Sequence, residues 1–351
     1  MSIANLSVLI IMLAFSLSGC KDDEQRKVFD EIYVQLTPVA TARLTTLKSN
    51  EPIRALVPVD SKVLTEPMVS LGRALFHDKR LSSDNSVSCA TCHEISAGGD
   101  DGLPKSVGVD GKQGPINAPT VLNSGLNFRQ FWDGRVATLA EQASFPVMAT
   151  VEMGSNWDQV VAKLSADNDL VEKFRVAYGS KDVSQSRIVR AISRFEETLL
   201  TPSPFDKFLL GQDDAISDEA KAGYKIFKDY GCSSCHQGIN VGGNLYQQFG
   251  VFQRVDLRSF MDYASDPVVL PRNRNITLVK VPSLRNIELT APYFHTGVVD
   301  DLYTAVRVMG ISQIGKDIPE RDINLIVAFL KSLTGDWQQH AELIHAELIK
   351  E

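Results

Sequence analysis

Two stretches of the chain carry apolar residues at the spacing of a single helix face. They are Ile188, Ile192, Phe195 and Leu199 in the first stretch, and Ile323, Ile326, Val327, Leu330 and Leu333 in the second. Residues three or four positions apart lie on the same side of an α-helix, so each stretch predicts an amphipathic helix packed on a core. Pro319 suits the first turn of the second helix.

Long loops rich in glycine, proline and asparagine separate the helical stretches, notably residues 97–119 and 238–282. A chain with so much loop needs something large to pack around. We therefore predict a mainly α fold built around bulky groups.

A weak internal repeat links the two halves of the chain. Residues 72–78, GRALFHD, resemble residues 223–229, GYKIFKD, and each copy precedes a Cys-x-x-Cys-His sequence. In each copy a glycine is followed four residues later by phenylalanine, so both lie on one helix face. We predict two similar helical domains that arose by duplication.

Prolines indicate where one domain ends and the next begins. Pro202 and Pro204 would interrupt any helix that crossed them. We predict an N-terminal domain over residues 59–204 and a C-terminal domain over residues 205–337. A weakly structured tether (residues 20–58) precedes them, and a charged, polar tail (residues 338–351) follows.

The N-terminus is typical of an export signal. Residues 8–15 form an apolar run too short to span a bilayer, and Leu17-Ser18-Gly19-Cys20 is similar to a bacterial lipoprotein cleavage site. We predict a signal peptide over residues 1–19 and lipidation of Cys20, with an uncleaved anchor helix as the alternative. Lys21 favours the outer membrane over the inner membrane, on the periplasmic side.

Composition and charge narrow the function classes. The chain has 351 residues, of which 44% are hydrophobic and 23% are charged, so two packed domains are affordable. The net charge of −7 argues against nucleic-acid binding, which needs a basic surface. The same charge is compatible with steering a basic protein partner, although many soluble proteins are mildly acidic.

The cysteines carry the strongest chemical signal. Four of the five form two pairs, in Cys89-Ala90-Thr91-Cys92-His93 and Cys232-Ser233-Ser234-Cys235-His236. Cys-x-x-Cys-His is the attachment sequence for haem c, with the histidine as an iron ligand. Zinc binding or a redox disulfide is the alternative. Two copies in an exported chain favour two covalent haems, with His93 and His236 as proximal ligands.

A methionine is the candidate sixth ligand of the second haem. Leu302, Val306 and Met309 share a helix face, and Gly310 follows. A Met/His ligand pair raises the reduction potential and closes the iron to substrate, which suits electron transfer. The alternative is that Met309 is an ordinary core residue.

From about Gly72 to Thr334 the chain resembles the bacterial dihaem cytochrome c peroxidases. The matching motifs are Leu81-Ser82, Gly114-Pro115-Ile116-Asn117-Ala118-Pro119-Thr120, Phe131-Trp132-Asp133-Gly134-Arg135, Val151-Glu152-Met153, Pro282-Ser283-Leu284-Arg285-Asn286, Pro292-Tyr293-Phe294-His295-Thr296-Gly297 and Val308-Met309-Gly310. The resemblance implies two cytochrome-c-like domains, with a peroxidatic haem in the first and an electron-accepting haem in the second.

The resemblance also implies roles for individual residues. Met309 matches the family's distal methionine, Glu152 and Gln142 match its distal acid and amide, and Trp132 matches a tryptophan between the haems. A carboxylate above the iron can move the proton that peroxide must transfer before its O–O bond breaks. Without the resemblance, Glu152 would be interpreted as a solvated loop charge.

Calcium and the partners follow from the same resemblance. Asn117, with the carbonyls of Thr290 and Pro292, matches a calcium site between the domains, and its oxygen ligands suit calcium. The expected substrates are hydrogen peroxide and a small c-type cytochrome or cupredoxin as electron donor. The family is often dimeric, so a homodimer is one expected assembly.

One position departs from the family pattern. In most members the loop after the first haem carries a histidine that caps the resting iron, and Val109 occupies its place here. The other candidate caps are Met153 and His77, and more weakly Asp110 and Lys112. His295 belongs to the motif near the calcium loop, and His340 and His345 are expected to be exposed.

Two other functions compete with the peroxidase. One is a dihaem oxidase that modifies a protein, like the enzymes that mature methylamine dehydrogenase. Those use tyrosine at the second haem, so Met309 argues against this reading. The other is a pure electron carrier with both irons six-coordinate.

Overall fold

The computed structural model describes residues 51–252 and 278–336. The predicted signal peptide, Cys20, the tether as far as residue 50, and both tail histidines, His340 and His345, lie outside these ranges. Within them, no helix is long and apolar enough to cross a membrane.

Helices dominate the regular structure, and the prediction of a mainly α fold is confirmed. In chain order the helices are α1 (Ser61–Leu64), α2 (Pro67–Phe76), α3 (Cys89–Cys92), α4 (Leu139–Met148), α5 (Trp157–Ser165), α6 (Asn168–Tyr178), α7 (Gln185–Glu196), α8 (Pro204–Leu209), α9 (Asp218–Asp229), α10 (Leu302–Met309) and α11 (Glu320–Lys331). Strands β1 (Tyr246–Gln248) and β2 (Leu278–Lys280) pair antiparallel, with Tyr246 opposite Lys280.

The two predicted amphipathic helices are α7 and α11. Their apolar faces are buried, and Pro319 directly precedes α11. The faces extend slightly beyond the helices, because Leu199 and Leu333 follow the ends yet are fully buried. Each leucine N–H donates to a carbonyl three residues back, so a final turn keeps both side chains in the core.

The repeat predicted from the sequence is a repeated helix crossing. A Cβ atom on Gly72 would lie 1.9 Å from the carbonyl oxygen of Ala191, and one on Gly223 would lie 1.8 Å from that of Leu325. Only glycine lets the backbones approach this closely. The helix α2 therefore crosses α7 as α9 crosses α11.

The repeat extends to two loops, residues 130–136 and 293–299, which share the pattern Phe-x-x-Gly-x-Val. Gln130 pairs with Val136, and Tyr293 pairs with Val299, each across a short turn. Both turns place a phenylalanine at positive φ, Phe131 at 68° and Phe294 at 65°. Trp132 and His295 directly follow these residues, so they occupy the same position in the two copies.

Buried apolar side chains form two clusters, and along the chain one gives way to the other near the predicted domain boundary. One contains residues between Val69 and Leu199, and the other contains Ile53 and residues from Phe205 to Leu333. The end of the predicted tether is packed rather than free. Ile53 is fully buried, and Glu51 accepts hydrogen bonds from Tyr224 (2.7 Å) and Lys228 (2.9 Å).

Polar side chains join the two clusters. Asn123 and Asn286 each donate from Nδ2 to Thr201 Oγ1, at 2.8 and 2.9 Å. Arg285 makes a two-pronged ion pair with Asp206 at 2.8 Å, and both side chains are buried. Buried, paired polar groups tolerate little displacement, so these contacts fix the geometry of the junction.

Candidate functional site

The first Cys-x-x-Cys-His sequence forms a short helix at the wall of a cavity. Ser88 and Thr91 cap α3 reciprocally, and His93 follows it. The His93 Nδ1 atom lies 3.2 Å from the carbonyl oxygen of Gly99. Burial lowers the pKa of this imidazole, so its neutral form can present Nε2 to a metal.

The cavity brings together residues from distant parts of the chain. It is lined by Val87, Ser88, Cys89, Cys92, His93, Ser106, Gly108, Gly114, Gln142, Ala143, Pro146, Val151, Glu152, Met153, Ile192 and Glu196. Both cysteines, the predicted proximal histidine and the predicted distal pair Gln142 and Glu152 thus share one cavity.

Helix α4 positions the two distal candidates. Gln142 lies in its second turn, and Glu152 follows its C-terminus, in a turn whose Glu152 N–H donates to Ala149 O at 3.0 Å. Burial raises the pKa of the Glu152 carboxyl, and the positive charge of Arg135 opposes that rise. Because burial and Arg135 act on this pKa in opposite directions, the carboxyl can both accept and return a proton.

The loop that carries Val109 is pinned beside Glu152. The Val109 N–H donates to the Glu152 carbonyl at 2.8 Å, and its side chain is 2% exposed. Its Cγ2 atom lies 2.9 Å from where a Cβ on Gly154 would be. The valine therefore fills an apolar niche behind the cavity wall.

The other candidate caps occupy different places. Met153 lines the cavity. His77 lies at the end of α2, with Nδ1 2.9 Å from Arg73 O and its ring against Phe76, and it is not part of the cavity wall. Asp110 and Lys112 are exposed and pair with each other at 3.0 Å. Met153 is thus the one of these four that faces the cavity.

Trp132 contacts segments from both halves of the chain. Its indole N–H donates to Asn117 O at 3.0 Å, and its ring centroid lies 6.2 Å from that of His295. The Trp132 carbonyl accepts from the backbone N–H of Lys280 at 3.0 Å. These contacts connect the first haem motif's half of the chain to the second.

Asn117, one of the predicted calcium ligands, lies in the same region. The Asn117 N–H donates to His295 O at 2.9 Å, three residues after Pro292, and its Nδ2 donates to Leu103 O at 2.8 Å. Its remaining amide oxygen is an acceptor of the kind that calcium binds. No cluster of three or more His, Cys, Asp or Glu side chains suited to a metal occurs in residues 51–252 and 278–336.

The second Cys-x-x-Cys-His sequence follows α9. His236 is 9% exposed, and burial lowers its pKa to about 4. The backbones of Val241 and Pro282 act in the opposite direction and raise this pKa, but less than burial lowers it. The Nδ1 atom of His236 has no partner in hydrogen-bond geometry among the described residues. The ring is neutral at physiological pH, as an iron ligand must be.

Met309 is the last residue of α10 and is half-buried. A π-helical turn, Gly310–Ile314, follows it, and Gly310 packs against Ile318. Such turns often occur at functional sites. Leu302, Val306 and Met309 lie on one helix, as the sequence predicted.

The comparisons with known proteins identify the family. A family model described as di-haem cytochrome c peroxidase matches residues 66–214. Cytochrome c551 peroxidase of Nitrosomonas europaea is 43% identical over 291 residues, which cover 83% of this chain and 86% of that protein. The chain belongs to the di-haem cytochrome c peroxidase family.

Other relatives agree with this membership. Cytochrome c peroxidase Ccp of Escherichia coli K12 is 46% identical over 292 residues, which cover 82% of this chain and 62% of that protein. The solved structure of a MauG-like protein associated with microbial copper homeostasis matches with a TM-score of 0.67 and 25% identity, covering 82% of this chain and 96% of that one.

Membership in a di-haem family implies two haem c groups, and the residues present fit them. The cavity wall places the thiols of Cys89 and Cys92 next to the imidazole of His93, whose pKa burial lowers. At the second motif, the half-buried Cys232 and Cys235 adjoin the buried His236.

Two buried ionisable residues near the predicted sites were missed by the sequence reasoning. Glu196 lines the cavity, and Lys280 is 8% exposed beside the Trp132 segment, where burial lowers its pKa to about 8. Glu196 follows Ile192 by four residues on the apolar face of α7, and an acidic residue on an apolar face could have indicated a functional group. Lys280 lies among Leu278, Val279 and Val281, which is a weaker indication of the same kind.

Proposed function

We propose that this protein reduces hydrogen peroxide to water with electrons from a small c-type cytochrome or a cupredoxin. One observation carries the proposal: a single cavity holds the first haem-attachment motif together with Glu152 and Gln142. A pure electron carrier needs no acid and amide beside its haem. Relatives named as cytochrome c peroxidases at 43–46% identity support the same function.

The cavity residues supply proton transfer and orientation. Haem iron, when bound to His93, provides the site for peroxide and the path for electrons. The Glu152 carboxylate takes the proton from the peroxide oxygen nearer the haem and returns it to the farther oxygen, which then leaves as water. The Gln142 amide orients peroxide and donates a hydrogen bond to the departing oxygen.

Met309 and His236 are the residues that would hold the iron of the second haem, which would accept the electrons. Trp132 provides an aromatic group between the two sites. Asn117, Thr290 and Pro292 are the proposed calcium ligands. A cation there would hold the Asn117 segment, to which Trp132 donates, against the loop that follows Thr290.

The cellular setting is proposed from the sequence. Haem c attachment and the predicted signal peptide favour the periplasm, with Cys20 as a lipid anchor in the outer membrane. The electron donor would approach there as a soluble protein, and a homodimer remains the proposed assembly.

Replacing Met309 by histidine should lower the reduction potential of the second haem. Thioether sulfur favours the ferrous state more than imidazole does, so the Met309→His variant should accept electrons more slowly. Potentiometric titration of the holoprotein measures this. An unchanged potential would make Met309 an ordinary core residue.

The mature protein should carry two haems that survive acid–acetone extraction, and the resting protein should show a high-spin haem band. A protein folded in an export-competent host with fewer covalent haems would contradict the family chemistry. Two covalent haems, both low-spin and inert to peroxide, would support the electron carrier instead. Peroxide-dependent oxidation of a protein substrate, without cytochrome oxidation, would support the dihaem oxidase that modifies a protein.

A further inference from the structure

Glu196 is a buried carboxyl group that the mechanism above does not use. Glu196 is the last residue of α7 and is 5% exposed. Its Oε2 atom has no hydrogen-bond partner among the described residues. Burial raises its pKa to about 8, and the negative charge of Glu197 adds to the rise. At neutral pH the carboxyl therefore holds its proton.

The carboxyl lies at the cavity of the first haem motif. Ile192 and Glu196, one helical turn apart, form part of the cavity wall with Gln142 and Glu152. Glu196 and Glu152 both lie near the Cys89 sulfur, because the charge of each raises the pKa of that thiol. The cavity thus contains two carboxyl groups around one attachment point.

The repeat shows that the fold does not require an acid at this position. Phe195 packs on Phe76 in the first copy, as Phe329 packs on Phe227 in the second. The residue after Phe329 is Leu330, which is 3% exposed. A leucine therefore fills the equivalent position beside the second motif. A carboxyl group buried at such a position without a partner costs stability that a leucine does not.

We propose that Glu196 is a proton-relay group that supplies the cavity with protons consumed during peroxide reduction. The inference rests on the proposed function. Reduction of H2O2 to two waters breaks the O–O bond and consumes two electrons and two protons. The donor protein supplies the electrons. Glu152 only moves a proton within peroxide, so the water that leaves first carries both of peroxide's own protons. The oxygen that remains needs both consumed protons, which must come from solvent. Glu196 passes them to that oxygen one at a time, and solvent reprotonates Glu196 after each transfer.

The charged surroundings favour a neutral Glu196. Glu197, which directly follows α7, and Glu152 across the cavity are both acidic, and attached haem makes the Cys89 sulfur non-titratable. On the two helices that pack against α7, Arg73 donates to Leu64 O at 3.4 Å, and the Glu141 carboxylate accepts from the backbone N–H groups that precede α4.

Infrared spectroscopy of the holoprotein tests the protonation directly. Wild type at pH 7 should show the carbonyl band of a protonated carboxylic acid, which titrates away near pH 8 and is absent from Glu196→Gln. Glu197→Gln, whose native side chain is 39% exposed, should keep the band. A wild-type protein without the band, or a Glu196→Gln variant that retains it, would overturn the proposal.

Turnover gives the second readout. Both Glu196→Gln and Glu196→Leu should lower peroxide turnover by about 10²-fold, the lower end for acid–base groups, and should remove the loss of rate above pH 8. Glu197→Gln should turn over normally. If glutamine supports the wild-type rate, the carboxyl only provides a polar contact and the inference is wrong. A wild type that does not consume peroxide would instead refute the proposed function, and the inference with it.

Discussion

Glu152→Gln should slow peroxide cleavage by ~10²–10⁴-fold, the range typical of a lost acid–base group. Glutamine is nearly the same size and keeps the cavity shape, so peroxide should still reach the haem. The amide cannot accept and return a proton. Rapid mixing of the holoprotein with peroxide measures the rate as a change in the haem spectrum.

The pH dependence provides an additional check on Glu152. Burial raises its pKa, and only the ionised carboxylate accepts a proton, so the wild-type rate should fall as the pH drops through that pKa. The variant should lose this limb. Glu172→Gln, at an exposed carboxyl on α6, is the control and should behave as wild type. An unchanged cleavage rate in Glu152→Gln would remove this residue from the mechanism.

The fully oxidised protein should react with peroxide without prior reduction. A capped iron must lose its ligand before peroxide binds, and Val109 stands where most relatives are expected to carry the capping histidine. Valine cannot bind iron, and here it is packed against Gly154 with its N–H held by Glu152. The haem at the first motif should therefore be five-coordinate or water-bound while both irons are ferric.

Val109→His tests this explanation by restoring a cap. Imidazole is too large for the niche beside Gly154, so it should be displaced towards the cavity and produce a low-spin resting haem that needs reduction before it reacts. Val107→His, at a 40%-exposed position in the same loop, should leave the resting spectrum unchanged. A wild-type ferric protein with two low-spin haems that ignores peroxide would contradict the prediction, and Met153 would then be the first ligand to examine.

The sequence predicted the helices and haem motifs well because these depend on local patterns. The apolar spacing in α7 and α11, and the glycine and phenylalanine of the repeat, reflect packing within single helices. Contacts between distant segments could not be predicted in this way. The burial of Ile53, the Trp132–His295 contact and the convergence of Glu196 with Glu152 depend on how the loops fold back on the helices.

The resemblance predicted Glu152 and Gln142 as the distal residues, but it could not predict where Val109 packs. Hydrophobicity alone is compatible with a valine that faces the haem or one that packs behind the wall. Its hydrogen bond to Glu152 and its contact at Gly154 indicate the second arrangement. The same holds for Glu196, whose burial follows from the packing of α7 against α2 and α4.

Steady-state oxidation of a reduced small c-type cytochrome by hydrogen peroxide tests the central claim most directly. The holoprotein with two haems should oxidise two cytochrome molecules for each peroxide consumed, and oxidation should stop when peroxide is exhausted. A cupredoxin should be assayed in parallel as the alternative donor. If the protein carries both haems but oxidises neither donor faster than peroxide alone does, it is not a cytochrome c peroxidase.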